Sequence, residues 1–114
     1  MKSVRVGARL VALGAGTALF FVLWLVGAVP AAALGHATAW RSTILQLWAR
    51  SVARVLALKV RCSGTAPRSG FLLVANHVSY LDIVVLAGAL RCGFVAKSEV
   101  ARWPLIGFLA RALG

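Results

Sequence analysis

The apolar and polar positions of the chain fall into three patterns. The first is Leu10–Val29, "LVALGAGTALFFVLWLVGAV", twenty residues inside a longer stretch from Leu10 to Trp40 that holds no Lys, Arg, Asp or Glu. A helix rises about 1.5 Å per residue, so the run reaches about 30 Å, one hydrocarbon core, and a membrane helix is predicted. Lys2, Arg5 and Arg9 precede it, as cations precede a cleaved signal peptide, and "AVPAAALG" holds small residues of the kind that flank a cleavage site. The apolar region of a signal peptide runs only about 7–15 residues, which favours a retained helix. Pro30 is expected to kink or end the helix. Gly35 loosens the connection after it, and His36, without a partner of its own kind, reads as a surface residue.

The second pattern has the helical period. In Trp40–Leu58, "WRSTILQLWARSVARVLAL", the residues Trp40, Ile44, Leu47, Trp48, Ser51, Val55 and Leu58 recur at three- and four-residue spacing. Ser42, Gln46, Arg50 and Arg54 form a polar stripe on another face. This amphipathic helix suits either a membrane interface, with Trp and Leu inward and cations outward, or a globular core with Arg50 and Arg54 solvated. Cations lie on both sides of the apolar run: Lys2, Arg5 and Arg9 before it, and Arg41, Arg50, Arg54, Lys59 and Arg61 after it. A helical hairpin with both ends on the cytoplasmic face satisfies both clusters under the positive-inside rule.

The third pattern begins at Leu58, where the period changes. "LKVRCSG" alternates and reads as a short strand, "TAPRSG" as a turn, and "FLLVAN" (residues 71–76) as a continuous apolar run of the kind found in a buried parallel strand. "SYLDIVVLAGAL" reads as a helix, "CGFVAK" (residues 92–97) as another strand, and "SEVARW" and "PLIGFLARAL" as short helices divided at Pro104. Strand, helix, strand predicts an α/β fold with a parallel sheet, placed after an N-terminal membrane helix or helical hairpin. The boundary is expected at 58/59, with residues 1–58 as the anchor and 59–114 as the α/β part.

Charge narrows the partners. Thirteen Lys and Arg against two acids give a net charge of +11 on 114 residues. The cations are scattered singly through an apolar sequence rather than clustered with exposed aromatics, which argues against nucleic acid. Anionic lipid headgroups fit better, and phosphate-ester substrates are compatible. Cys62 and Cys92 lie thirty positions apart with no metal-binding spacing, so neither a metal site nor a disulfide is assigned.

One of the two acids, Asp82, stands five positions after His77, in "LLVANHVSYLDIVVL". Asn76-His77 falls at the carboxyl end of the predicted strand 71–76, where α/β proteins gather function. Asp82 falls in the first turn of the next helix. A carboxylate there can hold one imidazole nitrogen and leave the other to accept a proton, a pair suited to general-base work on a substrate hydroxyl. The same residues also read as a Ser-x-x-Asp capping box, Ser79 to Asp82, with His77 an ordinary loop residue. The spacing leaves both open.

"LLVANHVSYLDIVVL" followed by "FVAKSEVARWPLIGFLARALG" resembles the glycerolipid acyltransferase family, typified by the 1-acylglycerol-3-phosphate O-acyltransferases. The resemblance covers roughly Val60 to Gly114. It matches the His-x-x-x-x-Asp signature with His77 and Asp82, the usual Asn before the His with Asn76, and the following block with "VAKSEVARWPLIG". It implies His77 as the general base and Asp82 as its orienting partner. Acyl-CoA or acyl-carrier protein would be the donor, a lysophospholipid hydroxyl the acceptor, and no cofactor or metal would be needed. Lys97 and Asn76 are implied as substrate-binding, Lys97 at the acceptor phosphate, where an ammonium serves as a point charge. Glu99 is left structural, as an acid in a first helical turn. Trp103, Pro104 and Gly107 belong to the same block without a catalytic role.

The family's later basic motif and its Phe-Pro-Glu-Gly-Thr-like block do not occur. The chain is therefore expected to be the N-terminal part of a longer enzyme, inactive by itself. Its expected location is the cell membrane, with the catalytic part on the cytoplasmic side. "NHVSYLD" also looks like family members that acylate lyso-ornithine lipid, and nothing in the residues chooses between acceptors. A reading from another class is a non-catalytic membrane-anchored protein in which His77 and Asp82 serve as turn and cap.

Overall fold

The computed structural model describes residues 2–68, 70–76, 79–94, 102 and 107. Three helices follow in order: α1 (Lys2–Ala33), α2 (Ala37–Val55) and α3 (Tyr80–Ala89).

The charge-free run makes up most of α1, whose 32 residues also take in Lys2, Arg5 and Arg9 at its start. Within it, Ser3–Ala33 is long and apolar enough to cross a membrane, and its most apolar window is not buried by the rest of the protein. Val4, Val11, Val26 and Val29 are each more than two-thirds exposed, an arrangement suited to lipid rather than water. Pro30 does not end the helix, which continues to Ala33. The end comes at Gly35, whose φ of +73° places it in the left-handed region. The His36 amide then donates to the Ala31 carbonyl at 2.7 Å and the Gly35 amide to the Ala32 carbonyl at 3.1 Å. This Schellman closure satisfies the carbonyls that a helix end leaves open. It turns the chain back within Leu34–His36.

α2 runs antiparallel to α1. Trp48 Nε1 donates to Thr17 Oγ1 at 3.1 Å, and Trp40 Nε1 to the Trp24 carbonyl at 3.3 Å. Trp40 also rests over Gly27, where a Cβ would overlap its indole. Here Gly serves close approach rather than flexibility. The helix starts and stops about three residues earlier than its period predicts: it begins directly after the turn at Gly35 and His36 and ends where the chain turns at Ala57. The Leu58 amide donates to the Ala53 carbonyl at 2.9 Å and the Ala57 amide to the Arg54 carbonyl at 3.0 Å. This is a second Schellman closure, with Ala57 at φ +57° in the place usually held by Gly.

α3 packs on the other side of α2. Ala49, Val84 and Ala87 form the buried centre, flanked by Leu45, Trp48, Val52, Ala53 and Phe94. The polar stripe of α2 is therefore not simply a solvated face. Gln46 is buried and Arg50 reaches α3, while Arg54 stays exposed.

No strand occurs among the described residues. The segments 58–64 and 71–76, expected as strands, run without strand pairing, and Leu72 and Val74 are 86% and 84% exposed. A strand exists only as part of a hydrogen-bonded ladder, and no described segment supplies the partner. Of the third expected strand, Cys92–Phe94 is described and is likewise unpaired. Of the expected C-terminal helices, only Arg102 and Gly107 are described, and each lies in a helical turn.

Candidate functional site

Asp82 is the third residue of α3, behind the N-cap Ser79. Ser79 has extended backbone, and its Oγ accepts from the Leu81 amide at 3.2 Å. Asp82 reaches back, its Oδ2 accepting from the Ser79 amide at 2.9 Å. The capping box read from the sequence is thus formed. It satisfies amide donors that the first turn leaves open and places the carboxylate at the positive end of the helix dipole. The cap does not exhaust Asp82. A carboxylate has about four acceptor positions over its two oxygens, and the bond to Ser79 takes one at Oδ2. Capping and orienting an imidazole are compatible tasks for one side chain.

Asn76 is exposed at the end of the segment 71–76, three positions before the cap. His77 and Lys97 lie outside the described residues. Of the four residues singled out from the sequence, the structure therefore describes Asn76 and Asp82. It puts Asn76 at the end of the extended segment and Asp82 in the first turn of α3.

The other end of α3 holds contacts that sequence reasoning missed. Arg50 Nε donates to the Gly88 carbonyl at 2.8 Å, and Gln46 Nε2 donates to the same oxygen at 3.4 Å. Gln46 Oε1 in turn accepts from Arg91 Nε at 3.3 Å. The only available signal was the spacing of Gln46 and Arg50, which reads the same whether the stripe meets water or a neighbouring helix.

Beside these contacts, α2, α3 and the segment after α2 enclose an open groove of about 380 Å³. Arg50 and Arg54 stand on it, and Ala53, Val60, Val84 and Gly88 give it an apolar lining. Cys62 and Cys92 are free thiols, the first exposed and the second half-buried. Burial pushes the Cys92 thiol above its ordinary pKa.

Residues 57–114, just over half of the chain, match the family model named Acyltransferase. The chain is 40% identical to a Lyso-ornithine lipid O-acyltransferase of Pseudomonas aeruginosa strain PAO1, over 92% of its own length and 39% of that protein's. It is 48% identical to a Lyso-ornithine lipid O-acyltransferase of Rhizobium meliloti strain 1021, over 56% of the chain and 22% of the relative. A 1-acyl-sn-glycerol-3-phosphate acyltransferase of Neisseria meningitidis is 34% identical, over 57% of the chain and 26% of the relative. The chain thus spans well under half the length of the curated relatives it matches. No solved structure matches it. An extended segment, a capped carboxylate entering a helix and one long apolar helix are here joined to that sequence match, and the chain belongs to the acyltransferase family. The long apolar α1 associates it with a membrane.

Proposed function

We propose that this protein transfers a fatty acyl group from an acyl thioester, acyl-CoA or acyl-carrier protein, to the hydroxyl of a lysolipid. The observation that carries the proposal is Asp82, capped and held at the start of α3, five residues after His77 and inside the region that matches the family model. His77 takes the proton from the acceptor hydroxyl, and Asp82 holds its imidazole and offsets the charge it gains. The freed oxygen attacks the thioester carbonyl carbon. The C–S bond breaks, the new ester remains on the lipid, and the thiol leaves with the proton returned by His77. Asn76 and Lys97 hold the acceptor headgroup, Lys97 as a point charge.

The segments 58–64, 71–76 and 92–97 become strands of a parallel sheet in this proposal, giving an α/β catalytic part. The apolar exposure of Leu72 and Val74 supports that reading, since a buried parallel strand is apolar on both faces. The catalytic part lies on the cytoplasmic side. The hairpin brings Lys2, Arg5 and Arg9 of α1 to the same end as Arg54, Lys59 and Arg61, whereas Arg41 lies near the turn. That asymmetry supports cytoplasmic placement of the open end.

Lyso-ornithine lipid is the acceptor the comparisons favour over 1-acylglycerol-3-phosphate. The match to the Pseudomonas protein leaves out only 8% of the chain, so it takes in the membrane hairpin as well as the site. The deciding experiment offers both acceptors to the protein expressed from its native coding sequence. Preferential acylation of lyso-ornithine lipid supports this choice, preference for 1-acylglycerol-3-phosphate reverses it, and no transfer to either overturns the assignment.

A further inference from the structure

Gln46 is the one buried polar side chain among the described residues, 8% exposed. Both ends of its amide are used, by the Gly88 carbonyl and by Arg91. The Gly88 carbonyl also receives Arg50 at 2.8 Å, a length typical of charge-assisted bonds. Gly88 lies in the last turn of α3, where carbonyls have no intrahelical donor and a cation is favoured by the dipole. α2 therefore closes the C-terminal end of α3, while Ser79 and Asp82 close the other.

The apolar contact between these helices is small. Ala49 and Ala87 meet at its centre, and a Cβ placed at Gly88 would meet Arg50 and Ala49 at ordinary van der Waals distance. Small residues let two helices come close but do not fix how one is rotated along or about the other. Directed hydrogen bonds do. Asp82 stands six residues from Gly88, about 9 Å along the helix axis, so a change at Gly88 is carried to Asp82 by a short rigid rod. On the far side, Trp48 and Trp40 tie α2 to α1 in the membrane. An unbroken series of contacts thus runs from the membrane helix, through Gln46 and Arg50, to Asp82.

We propose that Gln46 and Arg50 are positioning residues whose clasp on Gly88, backed by Arg91, sets the height of the Asp82-bearing helix above the bilayer. The proposal rests on the acyl-transfer reading. The acceptor lipid is held at the depth of the membrane. A site raised, lowered or turned by about 1 Å loses the attack geometry for that lipid, at up to about a hundredfold in rate. A short-chain acceptor dissolved in water is free to meet the site wherever it lies, so the clasp matters little for it.

The test uses the protein expressed from its native coding sequence and placed in lipid nanodiscs. The variants are Gln46→Met, Arg50→Met and the double variant. Ile44→Val, which trims a buried side chain on the same helix outside the clasp, is the stability control. Two quantities are measured. The first is kcat/KM for a long-chain, bilayer-embedded lysolipid against a short-chain, water-soluble one. The second is the depth of a spin label at Tyr80→Cys, in a background carrying Cys62→Ser and Cys92→Ser, read by lipid- and water-soluble relaxation agents. Tyr80 is 72% exposed at the start of α3 and accepts a label without repacking.

In the double variant the embedded-to-soluble ratio is expected to fall by at least about tenfold. The label depth is expected to shift, and the Ile44→Val protein to change neither. Equal loss on both acceptors with an unmoved label overturns the clasp and leaves acyl transfer standing. If the unmodified protein acylates neither acceptor, acyl transfer fails as a reading, and the label decides the clasp by itself: a shift supports it and an unmoved label overturns it. Gln46→Glu keeps an acceptor for Arg91 but loses the donor to the Gly88 carbonyl, so its ratio is expected to stay low like that of Gln46→Met, and a ratio equal to that of the unmodified protein overturns the role given to Gln46.

Discussion

The indole of Trp40 occupies the space that a side chain at Gly27 would need. Its Nε1 donates to the Trp24 carbonyl, so the ring is held by contact and by direction. A Cβ at position 27 forces one of the helices to move. Gly27→Ala is expected to destabilise the α1–α2 hairpin by about 1–3 kcal/mol, as overpacking does. Gly14→Ala, on the same helix with open space around it, is expected to gain up to about 1 kcal/mol of helix stability. Unfolding of both variants in detergent micelles shows whether the two changes have opposite signs.

Ala57 closes α2 in the left-handed region, where a Cβ is strained by about 1–2 kcal/mol. Ala57→Gly is expected to raise stability by about 1 kcal/mol. Ala57→Val is expected to lower it, because a β-branched residue resists positive φ. A thermal melt of the two variants beside the parent chain reads both shifts, and a lower melting temperature for the Gly variant contradicts the closure at Ala57.

Ser79 and Asp82 share the cap but not the chemistry. Ser79→Ala removes the hydroxyl that receives the Leu81 amide and is expected to cost about 1 kcal/mol of stability with most of the activity kept. Asp82→Asn keeps an oxygen for the Ser79 amide and removes the charge proposed to support His77. It is expected to leave stability nearly unchanged and to lower kcat by about 10²–10⁴-fold. Loss of stability without loss of activity in Asp82→Asn shows a carboxylate that only caps.

Cys92 and Cys62 are expected to separate by alkylation rate. Burial raises the Cys92 pKa, so at any pH below that range less of it is thiolate. Cys62 is exposed and is expected to react first with iodoacetamide. The sign for stability follows from the same burial. The folded chain keeps the Cys92 proton to higher pH than the unfolded chain, so its contribution is complete below the unfolded thiol pKa and is lost as pH rises through the folded one. Mass spectrometry of partly alkylated protein gives the order directly.

The features legible in the sequence are those set by near neighbours. A run without charge makes α1 whatever follows it, and Ser79 and Asp82 are three positions apart, so their box needs only one helical turn. Gln46 and Arg50 were legible as a polar stripe, but not their partner: Gly88 lies forty-two positions from Gln46, and a stripe carries no mark of what will face it. Gly27 was hidden for the same reason, since a glycine in an apolar helix shows no sign of the ring that will cover it. Ala57 escaped because left-handed caps are read from Gly or Asn. The strands at 58–64 and 71–76 have the composition of strands, yet pairing is a property of two segments and not of one. Their described conformation is unpaired, whereas the helix beside them forms as its own hydrogen bonds dictate.

The most direct test of acyl transfer by the His77–Asp82 pair is an assay with a radiolabelled acyl thioester and a lysolipid acceptor, run on the protein expressed from its native coding sequence and on its His77→Ala variant at equal membrane content. Labelled lipid is expected from the first, and from the second a rate lower by about 10²–10⁴-fold or more. Undiminished product from His77→Ala contradicts the assignment of the base, and no product from the unmodified protein with either lyso-ornithine lipid or 1-acylglycerol-3-phosphate contradicts the activity itself.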